Sequence, residues 1–105
     1  MKKLKNKDLK LFKLLQKIPK GKITTYKILA QKLKIHPRTA GIILKNNEDP
    51  ILYPCYKVVA SNGKLGGYNL GEKKKIQFLK RDGIKIKGDK VINFTERLHA
   101  FDNKS

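Results

Sequence analysis

TTYKILAQKLKIHPRTAGIILKN, residues 24–46, reads as two helix-length phrases with a short break between them. Thr24-Thr25 offers a hydroxyl to cap the first, Tyr26 to Leu33, in which Tyr26, Leu29, Ala30 and Leu33 share one face. Lys34-Ile35-His36 interrupts the period. Pro37 then stands at a first helical position, where the missing N–H costs nothing, and Arg38 to Asn46 can form the second helix. Two short helices across a tight break predict a helix-turn-helix, although many three-helix cores share that pattern.

Upstream, Leu11, Leu14, Leu15 and Ile18 make the i, i+3, i+4, i+7 stripe of an amphipathic helix that starts at Asp8 and stops at Pro19. Downstream, 46–50 is polar loop, and Pro54 is expected to keep the segment around the lone cysteine from being helical. Lys57-Val58-Val59 reads as a short strand, Ser61-Asn62-Gly63 as a turn, and Gly66, Gly67 and Gly71 as a flexible loop carrying Tyr68 and Asn69. Glu72 to Asp82 predicts a helix with Ile76 and Leu79 inward and Gly83 as its stop. Ile84 to Val91 alternates about Gly88-Asp89 as a hairpin ending near Phe94. The expected fold is mainly α with short β strands, a winged helix-turn-helix-like domain. It fills 1–105 as one domain with its core at about 8–94, while the polar 95–105 is expected to fray.

The chain has 105 residues and a formal charge of +18, from 26 basic against 8 acidic side chains spread along its length. A field of that size attracts polyanions and gives salt-sensitive binding to phosphates, so double-stranded DNA is the expected partner. A lysine-rich composition bias would give the same count, since arginine stands only at 38, 81 and 97. No apolar run approaches the length of a membrane span, so no membrane partner is expected. One cysteine forms no internal disulfide and no apolar leader is evident, which points to a reducing cytoplasmic setting. No metal and no cofactor are expected: Cys55, His36 and His99 are too few ligands and lack a familiar spacing.

Cys55 itself lies in Tyr53-Pro-Cys-Tyr-Lys-Val-Val59, held by Pro54 in a stretch with little freedom. A lone cysteine is commonly a buried structural thiol. Lys57 and the overall positive field argue instead for a lowered thiol pKa and a reactive thiolate.

The run PCYKVV, followed by SNGKLGGY at 61–68, with Asn47 eight residues and Arg38 seventeen residues before the cysteine, resembles the C-terminal domain of the O6-alkylguanine-DNA alkyltransferase family. The likeness covers roughly residues 8–88. It implies a single-use repair protein, acting as a monomer, that grips duplex DNA through the minor groove, flips out O6-alkylguanine and moves the alkyl group to Cys55. Arg38 corresponds to the finger that fills the vacated stack. Thr39, Ala40 and Gly41 match the small groove-side residues, with Ile42 and Ile43 read as inward-facing. Lys27, Lys45 and Ser61 fall on the DNA-binding side. Tyr26 matches the proton donor to the guanine ring, and Asn47 the brace of the turn before the cysteine. Tyr68 and Asn69 match the wall of the alkyl pocket, and the Val58 carbonyl the reader of the guanine amino group.

Two departures bear on mechanism. The family carries histidine after the cysteine, oriented by a glutamate; this chain has Tyr56 and Asp82, and tyrosine, with a reference pKa near 10, is a poor base at neutral pH. The family's additional N-terminal domain has no counterpart in these residues, a length similar to the alkyltransferase-like proteins, which bind alkylated DNA and recruit excision repair. Those usually lack the cysteine that is retained here. Three functions therefore stand: an alkyltransferase, a non-transferring lesion sensor with an excision-repair partner, and a small helix-turn-helix regulator.

Overall fold

The computed structural model describes residues 6–101. Helix α1 (Asn6–Gln16) buries Leu11, Phe12, Leu14 and Leu15, and the chain continues through a tight turn that also buries Ile18. Strand β1 (Thr24–Thr25) leads directly into α2 (Tyr26–Leu33), capped by the Thr25 hydroxyl, which accepts from Ile28 N at 3.0 Å. Lys34 ends α2 in the left-handed region at φ +58°, and its turn is closed by Ile35 N donating to Ala30 O. The next helix, α3 (Pro37–Lys45), is capped by His36, whose Nδ1 accepts from Arg38 N at 3.0 Å. These local caps fix the helix-turn-helix, and α2 packs closely on α3.

The cysteine segment departs from expectation. Cys55–Lys57 is a single 3-10 turn, with Pro54 at its N-cap, before strand β2 (Val58–Val59). Proline excludes a longer helix through its own residue but is well accommodated at the entry to one. Strand β2 pairs in parallel with β1, Thr24 opposite Val58 and Thr25 opposite Val59, which sets the cysteine turn beside the start of α2. Cys55 and Val58 enter a core built with α1, α2 and α3, whereas Tyr56 and Val59 enter a second core with Ile23, Leu65, Leu79, Ile84 and Val91. The turn is thus pinned from both sides.

Helix α4 (Glu72–Arg81) lies over the second core, and a hairpin of β3 (Ile86–Lys87) and β4 (Lys90–Val91) forms the wing, its turn made possible by Gly88 at φ +63°. A short α5 (Phe94–Arg97) follows. The described part of 95–105 is docked: Ile23 N donates to Arg97 O and His99 N to Ile23 O, both at 2.8 Å, and Phe101 packs on the first core. The last four residues lie outside the described ones. No helix among the described residues is long and apolar enough to cross a membrane.

Candidate DNA-lesion site

A cleft of about 830 Å³ opens between the start of α2, the outer side of α3 and the loop 66–69, lined by Tyr26, Gly41, Leu44, Lys45, Asn47, Cys55, Gly67, Tyr68 and Asn69. The helix-turn-helix supplies one wall. At its base Cys55 is a free thiol, 6% exposed. The turn leading to it is braced by Asn47, whose Nδ2 donates to Tyr53 O at 2.9 Å while Oδ1 accepts from Asp49 N at 2.9 Å. Asn69 Nδ2 donates to Leu44 O at 3.3 Å and Asn47 O at 2.9 Å, tying the glycine loop to the end of α3. Gly66, at φ +73°, lies so close to Tyr26 that a Cβ there would stand 3.0 Å from the phenol oxygen. Only glycine lets the loop take this conformation against that ring.

Two phenols face the thiol. Burial, then the neighbouring Cys55 charge, raises the Tyr26 pKa, with the Gly67 backbone acting against them. The same two causes push Tyr68 up to about 12, and its hydroxyl is buried with no hydrogen-bond partner among the described residues. Both therefore stay protonated at neutral pH and can donate. Burial also pushes the Cys55 thiol up, opposed by the Asn47 side chain, then by the charge of Lys75, then by the local backbone.

Lys75 was not singled out from the sequence. Its side chain on α4 is fully buried, with Nζ donating to Val58 O at 2.6 Å and Gly67 O at 3.0 Å. Burial pushes its pKa down to about 8, the Cys55 charge acting in the opposite direction. The available signal was helical phase: Lys75 stands four residues before the buried Leu79, a position that calls for an apolar side chain, but it is the last of three consecutive lysines. The cation expected to act on the thiol, Lys57, instead donates Nζ to Ile18 O at 2.7 Å and closes the end of the α1 turn.

The structure brings Tyr26, Asn47, Cys55, Tyr68 and Asn69 together, with Gly41 and the exposed Lys45 on the rim. Tyr56 and Asp82 also meet, the Tyr56 hydroxyl donating to Asp82 Oδ2 at 2.5 Å, but in the second core rather than in the cleft. Burial first, and then Asp82, hold the Tyr56 pKa far above the usual tyrosine range. The pair is a structural tie whose proton is not available to a thiol at neutral pH. Val58 is buried outside the cleft lining and its carbonyl already accepts from Lys75.

Arg38 is exposed at the first turn of α3, Thr39 is half-buried, and Lys27 is exposed on α2. Ser61 is exposed in the turn 60–63 and takes no part in the cleft. Ala40 is fully buried, and Ile42 is 55% exposed although expected inward. The buried stripe of α3 is Ala40, Ile43 and Leu44, so helical phase turns Ala40 to the core and Ile42 out. No cluster of three or more metal-ligating side chains occurs among the described residues.

The chain is similar to known proteins. The protein is 44% identical over 78 residues to the methylated-DNA--protein-cysteine methyltransferase of Saccharolobus islandicus, a match covering 74% of this chain and 51% of that one. Among solved structures, the O6-methylguanine-DNA methyltransferase of Pyrococcus kodakaraensis strain KOD1 superposes with a TM-score of 0.72 at 34% identity, over 77% of this chain and 48% of that chain. The chain thus spans about half the length of these two relatives. S. pombe Atl1, solved in complex with damaged DNA containing O6-carboxymethylguanine, superposes with a TM-score of 0.81 at 21% identity over 94% of this chain and 99% of that one, a likeness of fold. Residues 7–84 match the family model of the 6-O-methylguanine DNA methyltransferase DNA-binding domain, and the chain belongs to that family.

Proposed function

We propose that the protein binds duplex DNA carrying O6-alkylguanine, receives the flipped base in the Cys55 cleft and transfers the alkyl group to the Cys55 sulfur. The observation that carries this reading is a free thiol in a cleft lined by two protonated phenols. An O6-alkyl carbon inside the stack is out of reach of any thiol, so the base must leave the duplex first. The thiolate then attacks the alkyl carbon, an S–C bond forms as the C–O6 bond breaks, and the departing guanine anion takes a proton. Tyr26, which lines the same cleft, donates it. No product leaves the sulfur, so each molecule acts once. The charge of +18 supports sequence-independent phosphate binding, with Arg38 at the start of α3 entering the vacated stack and Lys27 and Lys45 on the backbone.

A second reading, a lesion sensor that holds the base without efficient transfer and hands it to excision repair, is favoured by one observation: burial raises the thiol pKa and the neighbouring Tyr56 is no base. The two readings separate in the DNA. A duplex containing one O6-methylguanine is incubated with equimolar protein, and its nucleosides are then quantified. Transfer predicts stoichiometric conversion of the lesion to guanine by the wild type and none by Cys55→Ser, with both binding the lesion duplex alike. Tight binding with the lesion intact in both identifies the sensor.

A further inference from the structure

The wing carries a charge arrangement that the fold does not require. Segment 63–65 lies against β4, with Leu65 N donating to Asp89 O at 2.9 Å and Val91 N to Gly63 O at 3.0 Å, so Lys64 stands directly opposite Lys90. These hydrogen bonds flank the pair rather than join it, the arrangement in which opposed Cα atoms approach to about 4.5 Å and the side chains leave on one face. On its other side Lys90 is paired with Lys87 of β3. Three exposed lysines, Lys87, Lys90 and Lys64, thus form one row across the wing, while Ile86, Val91 and Leu65 turn to the second core.

Like charges directly opposite one another destabilise a sheet, and none of the three is neutralised by an ion pair among the described residues. Asp89, the only acid of 84–91, stands in the hairpin turn. Lysine on an outer strand blocks pairing at a sheet edge. That accounts for Lys87 on β3, but β4 is the middle strand, and Lys90 meets a lysine on each side.

The geometry points to this row as a second phosphate-binding face, which holds the backbone of the same duplex whose flipped base enters the Cys55 cleft. The inference rests on duplex DNA being the partner. Two observations assign the row to that duplex rather than to a separate polyanion. Segment 63–65 runs straight into the glycine loop that lines the cleft, with Gly66 lying against Tyr26, so one continuous stretch of backbone joins the row to the cleft wall. The molecule is 36 Å in its longest extent, about one turn of duplex, so a single helix can meet both α3 and the wing. Three strands set the row at about 10 Å, a length of duplex along which one strand carries about three phosphates.

Lysine footprinting of the wild type tests the assignment first. The protein is treated with N-hydroxysuccinimidyl acetate, alone and with a duplex of about 20 base pairs carrying guanine or O6-methylguanine at its centre, and acetylation is mapped by peptide mass. Lys64, Lys87 and Lys90 should lose reactivity in both complexes. The second arm measures affinity for the undamaged duplex against salt, for the wild type, for a wing variant (Lys64→Gln, Lys87→Gln and Lys90→Gln together) and for a charge-matched variant on the exposed side of the first helix (Lys10→Gln, Lys13→Gln and Lys17→Gln together). Each phosphate contact contributes about 0.9 to the slope of log affinity against log salt, so losing three should lower the wing variant's slope by about 2.7. Its loss of affinity between about 50 and 200 mM salt should then be about fortyfold smaller than that of the wild type. The charge-matched variant should keep most of the wild-type slope. Without DNA the wing variant should melt no lower than the wild type, because the repulsion across the strands is relieved.

Wing lysines that stay reactive in the complex, or a wing variant whose slope falls no further than that of the charge-matched one, overturn the inference and leave the row to another acidic partner. A wild type that shows no preference for the lesion duplex, with its wing protected on both, would leave the face standing and overturn the proposed function alone.

Discussion

Tyr56→Phe removes one oxygen and decides whether the residue after the cysteine is a relay or a tie. The wild-type hydroxyl donates to Asp82 Oδ2 at 2.5 Å, while its ring packs on Phe78 at 5.3 Å between centroids. The ring contact survives the substitution. A hydrogen bond to a charged partner is worth about 1.5–3 kcal/mol, and water can reach the half-buried Asp82 once the phenol is gone, so the net loss should be about 1–2 kcal/mol. In a domain of this size that lowers Tm by roughly 5–15 °C. Reactivity is another matter. At a reference pKa near 10 only about one tyrosine in a thousand is ionised at pH 7, and burial beside Asp82 makes the fraction smaller still. Removing so rare a base should leave Cys55 alkylation by iodoacetamide within about twofold of wild type from pH 6 to 9, at a temperature where both proteins are folded. A fall of tenfold or more with the thermal loss confined to the expected range would refute the tie and make Tyr56 a participant.

Three further outcomes follow from the same geometry. Because Tyr56 and Asp82 meet in the second core and not in the cleft, Tyr56→His should lower stability by about 1–2 kcal/mol and leave thiol alkylation at pH 7 within about twofold of wild type, read by thermal melts and iodoacetamide kinetics. Arg38→Ala should weaken binding to an O6-methylguanine duplex about tenfold and to the undamaged duplex less than threefold at one fixed salt concentration; equal losses would reduce Arg38 to a phosphate contact. Folding stability should rise between pH 8 and 9, because folded Lys75 releases its proton near 8 while the unfolded lysine holds it to its reference value of 10.5, a gain of about 1 kcal/mol that urea midpoints would show and that Lys75→Met would lack. The raised pKa of Cys55 acts in the opposite sense from about pH 8, a unit below its reference value of 9, and offsets a few tenths of a kcal/mol of this gain, while those of Tyr26, Tyr56 and Tyr68 begin to act from about pH 9.

What the residues disclose by themselves is mostly local. The Thr25 cap, the stop at Lys34, Pro37 behind His36 and the stripe in α1 each act within one turn of chain, and the helix-turn-helix follows from them. The β1–β2 pairing is two residues long and joins segments 34 positions apart, Thr24 to Val58, so no periodicity announces it. It is also what brings Cys55 to Tyr26. The docking of 95–101 depends on one further ladder through Ile23 and on a few apolar side chains in a polar stretch. For Ala40 size and phase disagree: its small side chain suits the groove side, whereas its phase with Ile43 and Leu44 assigns it to the core. Lys75 was hidden by its neighbours, since a buried lysine in a run of lysines looks like solvated surface until its carbonyl partners are seen.

The central claim is that Cys55 accepts the alkyl group, and intact-protein mass spectrometry tests it most directly. The wild type is mixed with an excess of duplex carrying O6-methylguanine and sampled from about pH 6 to 9, across the reference titrations of histidine and cysteine. Transfer replaces S–H by S–CH3, so the whole population should gain one CH2 unit, mapped to the peptide containing Cys55, with the rate rising with pH as the thiolate forms. An unchanged mass at every pH, from protein shown in the same tubes to be bound to the lesion duplex, would contradict the account.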